Sequence, residues 1–124
     1  MEFDLLLPDA SIKSSPMVTD YTRKEKSLLR QLAREAWESE LTGELENLFE
    51  RFCVWADNGI SAFDLSDRIH EFHNGVSREL YTRYTALPPQ SAVARAVAVG
   101  ILGEESIDPS LLEKLRPLIE AFRD

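Results

Sequence analysis

From Thr22 onward the apolar residues recur at steps of three, four and seven, and no stretch keeps the period of two that a half-buried strand requires. The first run opens at Thr22, three before Glu25, the spacing at which a hydroxyl accepts the amide three residues on while the carboxylate reaches back. No proline interrupts it before Ala56, and Asp57-Asn58-Gly59 supplies a stop. Its apolar stripe changes phase on the way. Leu28, Leu29, Leu32 and Ala36 mark one face, whereas Leu41, Leu45, Leu48, Phe52 and Trp55 mark another roughly 150° away at 100° per residue. The two halves must face different neighbours. The pattern predicts one long first helix with scope for a kink at Gly43, in preference to a second helix capped by Thr42.

A second helix starts at Ser61, three before Asp64, and carries Leu65, Ile69, Phe72, Val76, Leu80 and Leu87 on one stripe. Asn74 and Gly75 interrupt it, which marks a break, a kink or the close approach of another backbone. The stretch LPPQSAVARAVAVGILG is apolar or small on almost every face and reads as the central helix, with Ala92, Ala96 and Gly100 spaced to admit a close neighbour. The last helix opens at Asp108-Pro109, a capping acceptor followed by proline at the first helical position. It is expected to bury Leu111, Leu112, Leu115, Leu118, Ile119 and Phe122 and to kink at Pro117. Residues 1 to 20 lack this period and contain Pro8, Pro16 and several serines, so they read as an extended or partly disordered arm, with Phe3 and Leu5 to Leu7 able to dock on a core groove. The expectation is an all-α fold: a single-domain bundle of four or five helices over residues 21–124, with an extended arm before it.

Composition narrows the function classes. The 124 residues allow one core, and 22 acidic against 14 basic side chains, a net charge of −8, favour solubility and disfavour nucleic acid or an anionic membrane as partner. A single cysteine, Cys53, can form no internal disulfide, and its apolar neighbours Phe52, Val54 and Trp55 predict a buried, inert thiol. The opening residues, with three leucines cut off by Pro8, match neither an export signal nor a spanning segment, so a cytoplasmic location is expected.

Both histidines, His70 and His73, ride on the second helix. With Asp67 they form a spiral, Asp-x-x-His-x-x-His, of the residue types that bind zinc, manganese or iron. Asp67 and His73 are about 9 Å apart along a helix axis, too far to share one ion with ligand bonds of about 2 Å, so further ligands would have to come from another helix. The favoured reading places His73 at the edge of the core and His70 at a boundary, on a polar and aromatic strip with Ser77, Tyr81 and Tyr84 that suits contact with a partner.

Arg95 is the one charge in the central helix and calls for a carboxylate, most simply from the long helix. Along that helix Arg23, Lys26, Arg30 and Arg34 make one end basic, while Glu38, Glu44 and other glutamates make the other acidic. Two copies packed antiparallel would set unlike ends together. The chain therefore reads as a small non-enzymatic interaction or regulatory protein without a cofactor, acting through helix surfaces as a homodimer, with another protein as a further candidate partner. The alternative is a metal-assisted enzyme in which His70, His73 and carboxylates hold a divalent ion such as Zn, Mn or Fe inside the bundle.

Overall fold

The computed structural model describes residues 20–124, whose regular elements are all helices, with no strand among them. The expectation of an extended arm over residues 1–20 falls almost entirely outside the described residues. Five α-helices follow in order: α1 (Arg23–Ala56), α2 (Ala62–Glu71), α3 (Arg78–Ala86), α4 (Pro89–Ala98) and α5 (Pro109–Arg123). A π-helical segment, Phe72–Ser77, joins α2 to α3, and a short 3-10 turn, Glu104–Ser106, precedes α5.

Local chemistry sets each boundary. At the start of α1 the Glu25 amide donates to Thr22 Oγ1 at 3.0 Å and the Thr22 amide to Glu25 Oε1 at 2.9 Å. Ser61 and Asp64 make the same reciprocal pair at the start of α2. α1 runs unbroken through Gly43 for 34 residues, about 51 Å at 1.5 Å per residue. Its C-terminus closes with Asn58 in the left-handed region at φ 63°, the Asn58 amide on Trp55 O at 2.9 Å and the Gly59 amide on Val54 O at 2.8 Å. α4 ends in the same motif, with Gly100 at φ 88° and the Ile101 amide reaching back to Ala96 O at 2.8 Å. Gly100 therefore lies past the helix, exposed, and does not extend the close-packing strip of Ala92 and Ala96, both of which are buried.

The sequence break at Asn74-Gly75 becomes the π segment. A methyl group on Gly75 would meet nothing within 4 Å, so the glycine does not mark a close backbone approach. One inserted residue there turns the apolar stripe of α2 relative to that of α3, and the two form a single rod that folds back along α1.

Packing divides the molecule. α4 lies between the proximal half of α1 and α5, and Leu29, Leu32, Val93, Ala94, Val97, Ile107, Leu111, Leu115 and Ile119 form one buried cluster. α5 passes through Pro117 without interruption, the proline being exposed, and Phe122 at its end is also largely exposed, where burial was expected. Beyond Glu40 the distal half of α1 packs, among the described residues, against the single rod formed by α2, the π segment and α3. Among its apolar residues Leu45 is 46 % exposed, Phe49 67 % and Phe52 37 %, whereas across the hairpin only Leu65 and Leu80 are fully enclosed. The second stripe on α1 thus meets one helix where a globular core would supply two or more. For the same reason Cys53 is exposed, not enclosed by its apolar neighbours.

Candidate functional site

The change of phase along α1 places Trp37 and Glu40, three residues apart and so on one face, toward the α2–α3 rod. Tyr81 and Tyr84 have the same spacing on α3 and meet them. The rings of Trp37 and Tyr84 stack at 5.8 Å with 5° between their planes, and Tyr81 packs edge-on to Trp37 at 5.9 Å and 66°. Beside them the Glu40 carboxylate accepts from three donors. Arg95 Nη1 on α4 lies 3.2 Å from Oε2, Arg83 Nη1 on α3 lies 3.3 Å from Oε1, and the Tyr84 hydroxyl donates to Oε2. Burial raises the Tyr84 phenol well above its ordinary value, and the hydrogen bond to Glu40 and that carboxylate's charge push it the same way. One carboxylate thus ties three helices together, with three of its roughly four acceptor positions taken up by these donors. The arrangement is a lock.

From this lock two surfaces extend. Toward the tip of the hairpin, Leu41, Leu45, Phe49 and Phe52 fall within roughly 40° of Leu45 on the helical wheel, and Arg34 and Glu38 continue that line toward the proximal end. The opposite flank of the hairpin carries more charge: Glu44, Asn47 and Arg51 of α1 with Arg68 and Glu71 of α2 rim a shallow groove that Leu48, Phe72 and Val76 also line. On the apolar flank the return rod contributes Ile69, and further along His73, Ser77, Arg78, Tyr81 and Thr82 line a groove of about 480 Å³. Trp55 near the end of α1 and Phe63 in the first turn of α2, 85 % exposed, add apolar surface near the tip.

Toward the base, Arg30, Arg34, Trp37, Tyr84, Leu87 and Pro89 line a second groove of about 310 Å³. It adjoins a third, of about 430 Å³, which shares Arg30 and Pro89 with it and adds Tyr21 and Lys26. The Tyr21 hydroxyl is buried with no hydrogen-bond partner among the described residues.

The residues singled out in the sequence are thus distributed over several surfaces. His70 and His73 are both exposed, and neither ring makes a hydrogen bond among the described residues, so His73 does not flank the core. The reason is the missing second layer: no helix among the described residues lies over the side of α2 and the π segment that carries them. Ser77 and Tyr81 share the groove with His73, while Tyr84 turns inward to the lock. Asp67, His70 and His73 do not converge, and among the described residues no group of three or more His, Cys, Asp or Glu side chains is placed to hold a metal ion. Arg23, Lys26, Arg30 and Arg34 are all exposed and make no ion pair among the described residues, Glu38 is exposed, and Glu44 is half-buried. Trp37 escaped the sequence reading; its signal was the matched three-residue spacing of Trp37–Glu40 and Tyr81–Tyr84, two pairs that an antiparallel hairpin brings face to face.

A separate pair fixes the proximal end. Lys114 Nζ lies 2.7 Å from Glu25 Oε1, and this bond, together with the capping amide of Thr22, holds the Glu25 carboxyl below the usual range. No helix among the described residues is long and apolar enough to cross a membrane. Comparison with protein-family models, with curated proteins and with solved structures gives no match for this chain.

Proposed function

We propose that the protein is a non-enzymatic interaction module that acts as a homodimer, with the apolar flank of the helical hairpin as its contact surface and a second copy of the same chain as the occupant. The observation that carries this reading is the one-sided burial of the hairpin: Leu45, Phe49 and Phe52 on α1, Ile69 on α2 and Tyr81 on α3 are all exposed. Together they offer on the order of 500 Å² of apolar surface, taking aromatic side chains at about 150–250 Å² each. A standard interface buries about 800 Å² per partner, a little over half of it apolar, so this flank alone has the apolar content a stable dimer needs.

Two hairpins laid face to face complete a four-helix bundle, the layer architecture that an isolated two-helix hairpin lacks. The unlike charge of the two ends of α1, basic at exposed Arg23, Lys26, Arg30 and Arg34 and acidic at exposed Glu46 and Glu50, favours an antiparallel over a parallel arrangement of the two copies. A cytoplasmic location belongs to the same reading, since the lone exposed Cys53 can form no internal disulfide and free thiols are the rule in reducing compartments.

Sedimentation equilibrium at tens of micromolar, at low and high salt, tests the proposal. Wild type is expected to sediment as a dimer that weakens with salt, and Phe49→Asp as a folded monomer, since Phe49 makes little contact within its own chain. A wild-type monomer in low salt, or a Phe49→Asp dimer of undiminished affinity, would sink it.

A further inference from the structure

The basal groove is unlike the hairpin flank in chemistry: it is basic, aromatic and lies where the chain enters the fold. Arg30 and Arg34 stand on one wall, both exposed and unpaired among the described residues, and Trp37, Tyr84, Leu87 and Pro89 form the floor and the other wall. Its continuation past Arg30 and Pro89 ends at Asp20 and Tyr21, the first described residues. A groove of this kind matches an extended peptide that alternates acidic residues with large apolar ones, because guanidinium groups pair with carboxylates while the indole and phenol rings cover aliphatic side chains.

This chain carries such a peptide close at hand. Residues 2–9 read EFDLLLPD, with Glu2, Asp4 and Asp9 set around Phe3 and three leucines. We infer that residues 2–9 occupy the basal groove of their own chain, with the three carboxylates toward Lys26, Arg30 and Arg34 and the apolar side chains over Trp37, Leu87 and Pro89. Reach is sufficient. The 11 residues from Asp9 to Asp20 span up to about 36 Å when extended, and the rise along α1 from Arg23 to Trp37 is about 21 Å. Tyr21, whose buried hydroxyl has no hydrogen-bond partner among the described residues, lines the continuation of the same groove.

The inference does not depend on dimerisation, whose apolar contact is the flank around Phe49, away from this groove.

Paramagnetic relaxation on the full-length chain tests it directly. A nitroxide is placed at Ser11→Cys in a Cys53→Ser background, and the ¹⁵N spectrum is recorded with the label oxidised and reduced. The expected result is selective signal loss at the Trp37 indole and at the amides of Arg30, Arg34 and Leu87, with the hairpin tip near Phe63 unaffected. High salt, Arg30→Glu with Arg34→Glu, or Leu5→Asp with Leu6→Asp should each restore those signals. Uniform or absent broadening would overturn the inference, as would broadening that appears only when labelled ¹⁴N chains are mixed with unlabelled ¹⁵N chains. Persistence of the selective loss in both double variants would overturn it as well. A monomeric Phe49→Asp chain keeps the selective loss if the inference is right, which separates this result from the fate of the dimer.

Discussion

The two halves of α1 carry apolar stripes of similar length and meet opposite fates. Leu29, Leu32 and Ala36 in the proximal half are sealed by α4 and its neighbours, whereas Leu45, Phe49 and Phe52 in the distal half lie against a single returning rod and stay largely open. Helical period cannot distinguish the two, because an amphipathic stripe records only that something must cover it. What differs is the number of elements available within the chain. The proximal half is completed in cis; the distal half is completed, on the reading offered above, by a second copy.

The contrast is most easily broken with one substitution on each side. Leu115→Ala removes a side chain with no exposed surface from the proximal cluster and is expected to cost about 2–5 kcal/mol in urea unfolding, through lost burial and the cavity left behind. Phe49→Asp, at a position 67 % exposed, should change the stability of the isolated chain by no more than about 0.5 kcal/mol while abolishing association. If Phe49→Asp unfolds the chain as severely as Leu115→Ala, the distal half is not an interface but an integral part of the core.

Much of this division was already written in the residues. The capping pairs Thr22–Glu25, Ser61–Asp64 and Asp108–Pro109 mark helix starts because their chemistry is local, and each stands where the spacing placed it. The break at Asn74-Gly75 was equally visible, although only the structure assigns it to a π segment. The sealing of one stripe and the exposure of the other were not legible, because they depend on tertiary arrangement. Cys53 and His73 illustrate the cost: apolar neighbours in sequence argued for burial at one and a core edge at the other, and both are exposed because no helix among the described residues covers them. The lock at Glu40 was half visible. Arg95 demanded a carboxylate, but Trp37, Arg83 and Tyr84 join that site through contacts more than 40 residues apart, beyond the reach of any local spacing.

At the boundary between the halves, the Tyr84 hydroxyl offers a sharper test with a smaller effect. Tyr84→Phe removes one hydrogen bond to a carboxylate and is expected to cost about 1–2 kcal/mol near neutral pH. Its pH dependence follows from the raised phenol. The folded chain keeps a proton that the unfolded chain releases near pH 10, so the stability this group confers is intact below about pH 10 and is lost as pH rises through the folded value. Wild type should therefore lose stability on the alkaline side, and Tyr84→Phe should lose less. Parallel alkaline profiles would show that Tyr84 is not the group held protonated by the fold.

The smallest effect comes from a pair of glycines that should respond with opposite sign. A methyl group at Gly43 would meet nothing within 4 Å, and the residue sits in the interior of an exposed stretch of regular helix. Gly43→Ala is thus expected to stabilise the chain by about 0.5–1 kcal/mol, since it lowers the entropy of the unfolded state and costs no packing. Gly100 also faces open space, but its φ of 88° is one that alanine adopts poorly, so Gly100→Ala should destabilise by about 1 kcal/mol. Thermal unfolding of the two variants beside wild type decides the matter. A stabilised Gly43→Ala chain means that the distal half carries a weak helix former which no neighbour within the chain requires. If Gly43→Ala is destabilising instead, the glycine is needed for a bend or a contact in α1, and the account of the distal half as a plain rod held on one side must be given up.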